Sequence, residues 1–139
     1  MYASGADYMF SNTAIEDATN INWVSPYMFY NCKKLKYVKY GTRKNDELYA
    51  RYSMFEGCTS LLSDNITKVY IYINNKEDNK GYSMFEGCTS LNKAPTIRIS
   101  ELSKGCCKRM FYGCTELTTL PSNLLPATTL ADSCYESMF

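Results

Sequence analysis

YSMFEGCTSL occupies residues 52–61 and recurs, letter for letter, at residues 82–91. Outward from these two copies, the pair Met-Phe is found six times, beginning at Met9, Met28, Met54, Met84, Met110 and Met138, in steps of 19, 26, 30, 26 and 28. Apart from Met1, every methionine belongs to this series. An apolar mark that returns about every 20 to 30 residues is the signature of a solenoid, in which one short supersecondary unit stacks on the next. Such stacks build extended surfaces more readily than enclosed pockets, which argues against catalysis.

The chain has 139 residues, a net charge of +1 and 45% hydrophobic residues, enough for one small domain with its own core. The near-neutral balance argues against nucleic acid, because a phosphate-binding surface needs clustered Lys and Arg in excess. The one basic run, Lys33, Lys34, Lys36 and Lys39, is interleaved with Leu35, Tyr37 and Val38 and reads as the solvated side of a strand. No stretch approaches the roughly 20 apolar residues that cross a bilayer, so no membrane insertion is expected. The opening MYASGADYMF lacks the basic and apolar regions of a secretory signal. Tyrosine is abundant at thirteen copies and histidine is absent. Tyrosine suits both strands and exposed recognition faces.

Within one unit, Leu130, Cys134 and Met138 are spaced i, i+4, i+8, and Leu102, Cys106 and Met110 repeat that spacing, which predicts a short helix leading into each Met-Phe pair. Thr128 and Ser100 stand where N-caps belong, with Asp132 and Glu101 in or near the first turn. Gly57, Gly87 and Gly113, and Asn31 in the same slot, lie two residues after the Phe, where a left-handed residue would stop the helix. Cys32, Cys58, Cys88 and Cys114 follow at once, and Leu35, Leu61, Leu91 and Leu117 three residues later. A strand-sized stretch comes next, closed by proline in two units. The expected class is therefore α/β, a leucine-rich-repeat-like solenoid of stacked short parallel strands and short helices. Its interior would be a ladder of Met28, Phe29, Cys32 and Leu35; Met54, Phe55, Cys58 and Leu61; Met84, Phe85, Cys88 and Leu91; and Met110, Phe111, Cys114 and Leu117.

Two regions depart from the pattern. Residues 66–80 read as an insertion, whose alternation predicts an extra strand with Val69, Ile71 and Ile73 on one face and Tyr70 and Tyr72 on the other; the polar stretch 74–81 reads as a loop. Residues 1–26 read as a divergent first repeat or cap, with Thr13 in the cysteine slot and Trp23 placed to cover the open end. The last unit stops at Phe139 without its glycine and leucine, which suggests a fragment of a longer chain or an end capped by further repeats or a partner.

The pieces MFYNCKKL, MFEGCTSL (twice), MFYGCTEL and LPATTLADSCYESMF make residues 27–139 resemble the BspA-like leucine-rich repeats, in particular their Bacteroides variety. This surface-protein family is abundant in gut and oral Bacteroidetes and is found in parasitic protists. The resemblance implies a curved strand-plus-helix solenoid, extracellular or at the cell surface, that acts in adhesion or protein binding. It brings no catalytic residues with it.

The seven cysteines are odd in number, and four share one inward repeat position, which favours buried thiols over a disulfide framework. In the helical reading Cys107 falls beside the core stripe and near the surface, a candidate reactive thiol or simply a tolerated exposed cysteine. No His and no C-x-x-C pair argue against zinc or any other metal, and the lack of His removes Ser-His and Cys-His catalysis. Glu56 and Glu86 share a slot and would be stack neighbours, but Tyr30 and Tyr112 fill that slot elsewhere, so it reads as exposed and permissive rather than catalytic. No cofactor motif is present. The expected function is a non-enzymatic module binding a protein or glycan through the strand face, at Lys36, Tyr37, Tyr70, Tyr72, Asn92, Lys93, Thr118 and Thr119. The alternative is a structural or assembly segment of a surface stalk or bacteriophage virion.

Overall fold

The computed structural model describes residues 7–40, 47–66, 70–73, 77–99 and 101–139. The repeats stack in sequence order, and the Met-Phe segments form the seam. Phe10, Phe29, Phe55, Phe85, Phe111 and Phe139 make one continuous column, with successive ring centroids 5.4, 5.6, 5.4, 5.6 and 6.1 Å apart and planes within 16° of parallel. Offset aromatic stacking adds about 0.5–1.5 kcal/mol per pair to the burial of the rings. The four central phenylalanines are essentially inaccessible to solvent, as are Met28, Met54, Met84 and Met110.

The helices expected before each Met-Phe pair are not formed. Residues 104–113 and 132–137 are successive turns, with positive φ at every second residue: Gly105 (70°), Cys107 (60°) and Arg109 (54°), then Ser133 (56°), Tyr135 (60°) and Ser137 (50°). An α-helix needs φ near −63° throughout. Alternating handedness instead points successive N–H groups in different directions. Met84 and Glu86 close turns onto the carbonyls of Gly81 and Ser83, both at 3.2 Å, while Ser83, Phe85 and Gly87 reach to Lys108, Met110 and Tyr112 of the next unit at 2.9, 2.9 and 2.8 Å. Ser53, Phe55 and Gly57 do the same towards Tyr82, Met84 and Glu86. The backbone of this side is thus satisfied half within and half between units, which a helix could not do. Thr128 and Leu130 accordingly start no helix, and Leu130 is 69% exposed. Ser100 lies outside the described residues.

The glycine slot is left-handed as its sequence predicts, with φ of 75°, 72° and 72° at Gly57, Gly87 and Gly113 and 56° at Asn31. It turns a ribbon, however, rather than ending a helix. Gly57 also lacks room: an added Cβ would stand 3.3 Å from Asn31 Oδ1 and 3.4 Å from its Cα.

On the return side the chain forms short parallel strands. β1 (Asp17–Ile21) pairs with β2 (Tyr37–Tyr40). β3 (Glu47–Tyr49), β4 (Tyr70–Ile73) and β5 (Thr96–Ile99) make a second sheet in the order β3-β4-β5. β4 was expected as an extra strand on an insertion, and it is instead the middle strand of this sheet, in register with both neighbours (Leu48↔Ile71↔Ile97). Ile71 and Ile73 face the core as the alternation requires; Val69 lies outside the described residues. The extra length of that unit is taken up by α1 (Ser63–Ile66), a single helical turn beside β2. Of the polar stretch 74–81, residues 74–76 lie outside the described residues; Lys80 and Gly81 are buried. In the first unit Trp23 is 40% exposed, and it is Phe10 that stacks on the Phe29 ring.

Candidate functional site

The ladder residues occupy the interior that their repetition predicts. Met28, Phe29, Cys32, Leu35, Met54, Phe55, Cys58, Leu61, Met84, Phe85, Cys88, Leu91, Met110 and Phe111 are at most 1% exposed, Cys114 is 9% exposed, and Leu117 packs against them partly buried. The cysteine slot has a polar function as well. Cys32, Cys58, Cys88 and Cys114 each donate the thiol hydrogen to the carbonyl of a phenylalanine one unit back: Phe10 (2.8 Å), Phe29 (3.0 Å), Phe55 (3.1 Å) and Phe85 (3.0 Å). Burial pushes the Cys58, Cys88 and Cys114 thiols up, Cys114 to about 11 and the other two well above the usual range. All seven cysteines are free. Cys107 is not the surface thiol that a helix would make it: it is fully buried, and burial raises it far from the reactive range. In the alternating ribbon its slot equals that of Gly81, which is also buried. Cys134 is the half-buried one.

The strand-face residues fall into two groups. Lys36, Asn92, Lys93, Thr118 and Thr119 are exposed and join a backbone ladder just after the leucine slot: the Lys36 N–H bonds to the Glu16 carbonyl, the Leu62 N–H to the Lys36 carbonyl, and the Thr118 and Thr119 N–H groups to the Asn92 carbonyl at 3.1 Å. Ser63 bridges the middle of this ladder through Asn92 Oδ1 at 2.9 Å. Tyr37, 42% exposed, opens β2 beside it. Tyr70 and Tyr72 stand on the other sheet and are half-buried. Tyr72 meets Tyr49 edge to face at 5.4 Å, and the Arg98 guanidinium lies 3.4 Å over the Tyr70 ring. Arg98 and Tyr49 are therefore part of this face too. Their alternation with Leu48 and Ile97 is the sequence signal that would have identified them.

A second surface escaped the sequence reading. Tyr8, Tyr27, Tyr30, Ser53, Glu56, Tyr82, Ser83, Glu86 and Arg109 line a shallow groove of about 600 Å³ along the Met-Phe ribbon. A smaller hollow of about 290 Å³ adjoins it between Tyr27, Tyr52, Asp78, Asn79 and Tyr82. Tyr8 stacks on Tyr27 at 4.4 Å, and Tyr27 meets Tyr52 edge to face at 5.2 Å. These side chains come from positions flanking each Met-Phe pair. The backbone there is left-handed, with φ of 63° at Tyr8, 54° at Tyr27, 50° at Ser53 and Ser83 and 54° at Arg109; Tyr8 is exposed, whereas Ser53 and Ser83 are buried.

Glu86 is held by its neighbours. Arg109 grips it through two nitrogens, at 2.5 and 3.1 Å, and Ser83 donates to it at 2.6 Å. These hydrogen bonds, Arg109's first, outweigh burial and hold the carboxyl below its usual range, the reverse of what a general acid needs. Among the described residues no group of three or more His, Cys, Asp or Glu could hold a metal ion. No described helix is long and apolar enough to cross a membrane.

No curated protein and no solved structure matches the chain. A family model does: the BspA type leucine-rich repeat region matches in six copies over residues 4–77 and 70–138. Six copies agree with six Met-Phe pairs, and the match begins early enough to take in the first unit. The chain belongs to the BspA-type leucine-rich repeat family.

Proposed function

We propose that this chain is a non-enzymatic recognition module of a cell-surface or exported adhesin-like protein, a solenoid that binds a protein or glycan ligand through the outer side of its strands. The observation that supports it best is the row of Tyr49, Tyr70, Tyr72 and Arg98 on β3-β4-β5, opposite the inward Leu48, Ile71, Ile73 and Ile97. Rigid aromatic side chains with an arginine among them are the composition of binding hot spots. The exposed Tyr37, Lys36 and Lys93 extend the same chemistry on the neighbouring ladder. Family membership supports the reading, since repeats of this kind build surfaces.

The test is binding of the purified chain to panels of extracellular-matrix proteins and immobilised glycans, alongside a Tyr37→Ser/Tyr49→Ser/Tyr72→Ser variant. The expected result is a ligand whose affinity falls at least about tenfold in the variant with cooperative unfolding retained. Unchanged binding would remove the strand face as the site. The exposed Leu120, Leu125 and Leu130 favour a second reading, an assembly segment. That reading requires self-association, and a monodisperse monomer by light scattering would count against it.

A further inference from the structure

The hollow between Tyr27, Tyr52 and Tyr82 lies on the ribbon side, apart from the strands, and its chemistry is specific. Tyr27 and Tyr52 stand at 81° with centroids 5.2 Å apart, so the two rings form a corner. Tyr82 and Asp78 also line it, and Asn79 completes the lining. A cation in such a corner lies within the roughly 6 Å at which an aromatic face attracts it.

The rings of this protein already accept cations elsewhere: the Arg98 guanidinium sits 3.4 Å over Tyr70, and that of Arg109 sits 4.0 Å over Tyr112. Over Tyr27, Tyr52 and Tyr82 there is none among the described residues. The surrounding charge points the same way. The Tyr27 and Tyr52 hydroxyls are raised above their ordinary value first by burial; at Tyr27 the Tyr8 hydroxyl comes next and Glu56 after it, and at Tyr52 Asp7 comes next, then Tyr27 and Glu77. Glu77 is already paired with Lys80. Asp78 and Glu56 have no ion-pair partner among the described residues and supply the free negative charge.

Size narrows the ligand. About 290 Å³ is at the lower end of ligand pockets, near 300 Å³, which suits one head group rather than an oligosaccharide. Aromatic faces offer no hydrogen-bond acceptor strong enough for a hydrated primary ammonium, and they favour one whose nitrogen carries methyl groups.

We propose that Tyr27, Tyr52, Tyr82 and Asp78 form a cage for a quaternary alkylammonium group of the choline type, free or as its phosphate ester. The three rings contact the methyl groups, and Asp78 supplies the counter-charge at the rim.

Titration of the whole chain with choline chloride, followed by tyrosine ring resonances in NMR, tests this. Saturable shifts at Tyr27, Tyr52 and Tyr82 are expected in the millimolar range, with none from 3,3-dimethylbutan-1-ol, the uncharged carbon isostere. Tyr52→Ala and Tyr82→Ala should each raise Kd about fivefold or more, and Asp78→Asn by a smaller factor. Tyr52→Phe keeps the ring face and should keep the affinity, which separates this site from one that uses the phenol hydroxyl. A parallel titration with phosphocholine distinguishes the sources: binding of both marks a head-group site, and binding of choline alone marks a site for the free base. Equal binding of the neutral isostere, loss of binding in Tyr52→Phe, unchanged binding in the Tyr52→Ala/Tyr82→Ala double variant, or no saturable shift from either ligand would overturn the proposal. Should the alanine variants misfold, Asp78→Asn and Tyr52→Phe, which remove no buried apolar group, still decide it.

Discussion

The thiol of Cys58 donates to the carbonyl oxygen of Phe29, one unit earlier in the stack, at 3.0 Å. The same oxygen accepts the N–H of Cys32, the residue that begins the next corner of its own unit, at 3.1 Å. One carbonyl thereby ties a corner to itself and to its neighbour. In the first unit, Thr13 stands in the cysteine slot and bonds its own Phe10 carbonyl at 2.7 Å, the oxygen that Cys32 also reaches. Cysteine fits the slot because it is small and apolar enough for the core yet still a donor. Cys88→Ala, which strips Phe55 of its cross-unit donor, is expected to cost about 1–3 kcal/mol in urea unfolding. Cys134→Ala should cost much less, because Cys134 is only half-buried.

Thiol accessibility follows from the same packing. Six of the seven cysteines are buried and Cys134 is half-buried. An aromatic disulfide reagent at neutral pH should therefore label one thiol readily in the native protein and all seven in guanidinium. Rapid native labelling of Cys107 would contradict its burial.

The phenylalanine column predicts a position effect. Phe55 is stacked on both sides, against Phe29 and Phe85, and is fully buried. Phe55→Ala is expected to lose about 3–5 kcal/mol. Phe139, stacked on one side and 55% exposed, should lose well under half of that when replaced by alanine. Thermal unfolding of the two variants side by side checks the ratio.

Gly57 and Gly87 share a slot but not their surroundings. Both have left-handed φ, which costs a non-glycine residue about 1–2 kcal/mol. At Gly57 a Cβ would also press on Asn31, whereas at Gly87 the nearest atom is the Gly57 Cα at 3.7 Å. Gly57→Ala should be the more destabilising of the two. Conversely, Ser53 is a non-glycine residue held at φ 50°, and Ser53→Gly is expected to be neutral or to raise Tm.

Acid sensitivity should centre on the Glu86–Arg109 pair. A carboxyl held lower in the folded than in the unfolded chain stabilises the fold above its ordinary value of about 4.3, and that stabilisation is withdrawn as pH falls through the lower folded value. Glu77 beside Lys80 and Glu136 beside Lys108 shift in the same direction. Glu86→Gln is expected to lower Tm near neutral pH and to shrink the drop in Tm between about pH 7 and about pH 3. An unaltered acid profile would show that the pair contributes nothing to stability.

The interior was legible in the sequence because burial by stacking demands the same side chain at the same slot: Met, Phe, Cys and Leu recur, and they are the core. The glycine corners were legible because few residues tolerate a left-handed φ. The helices were misread because Leu102, Cys106 and Met110 are four apart, a spacing that fits a period of 3.6 and equally a period of 2. Only the cross-unit bonds of Arg109 to Glu136 and Phe111 to Met138 decide between them, and no single-unit pattern contains those. Tyr70–Ile73 was recognised as a strand but detached from the sheet, because α1 lengthens its unit and hides the register with Leu48 and Ile97. The tyrosine groove was missed because its members come from five different units, one or two residues away from marks that drew attention to the core.

The ribbon's cross-unit bonds run from main chain to main chain, so they are indifferent to which exposed residues a given copy carries. Gene duplication can therefore add or remove a whole turn of the stack without redesigning its neighbours, as the twin decapeptides at residues 52–61 and 82–91 suggest. Surface diversity and length can then evolve separately, the first by drift at the outward tyrosines and lysines, the second by gain or loss of whole units.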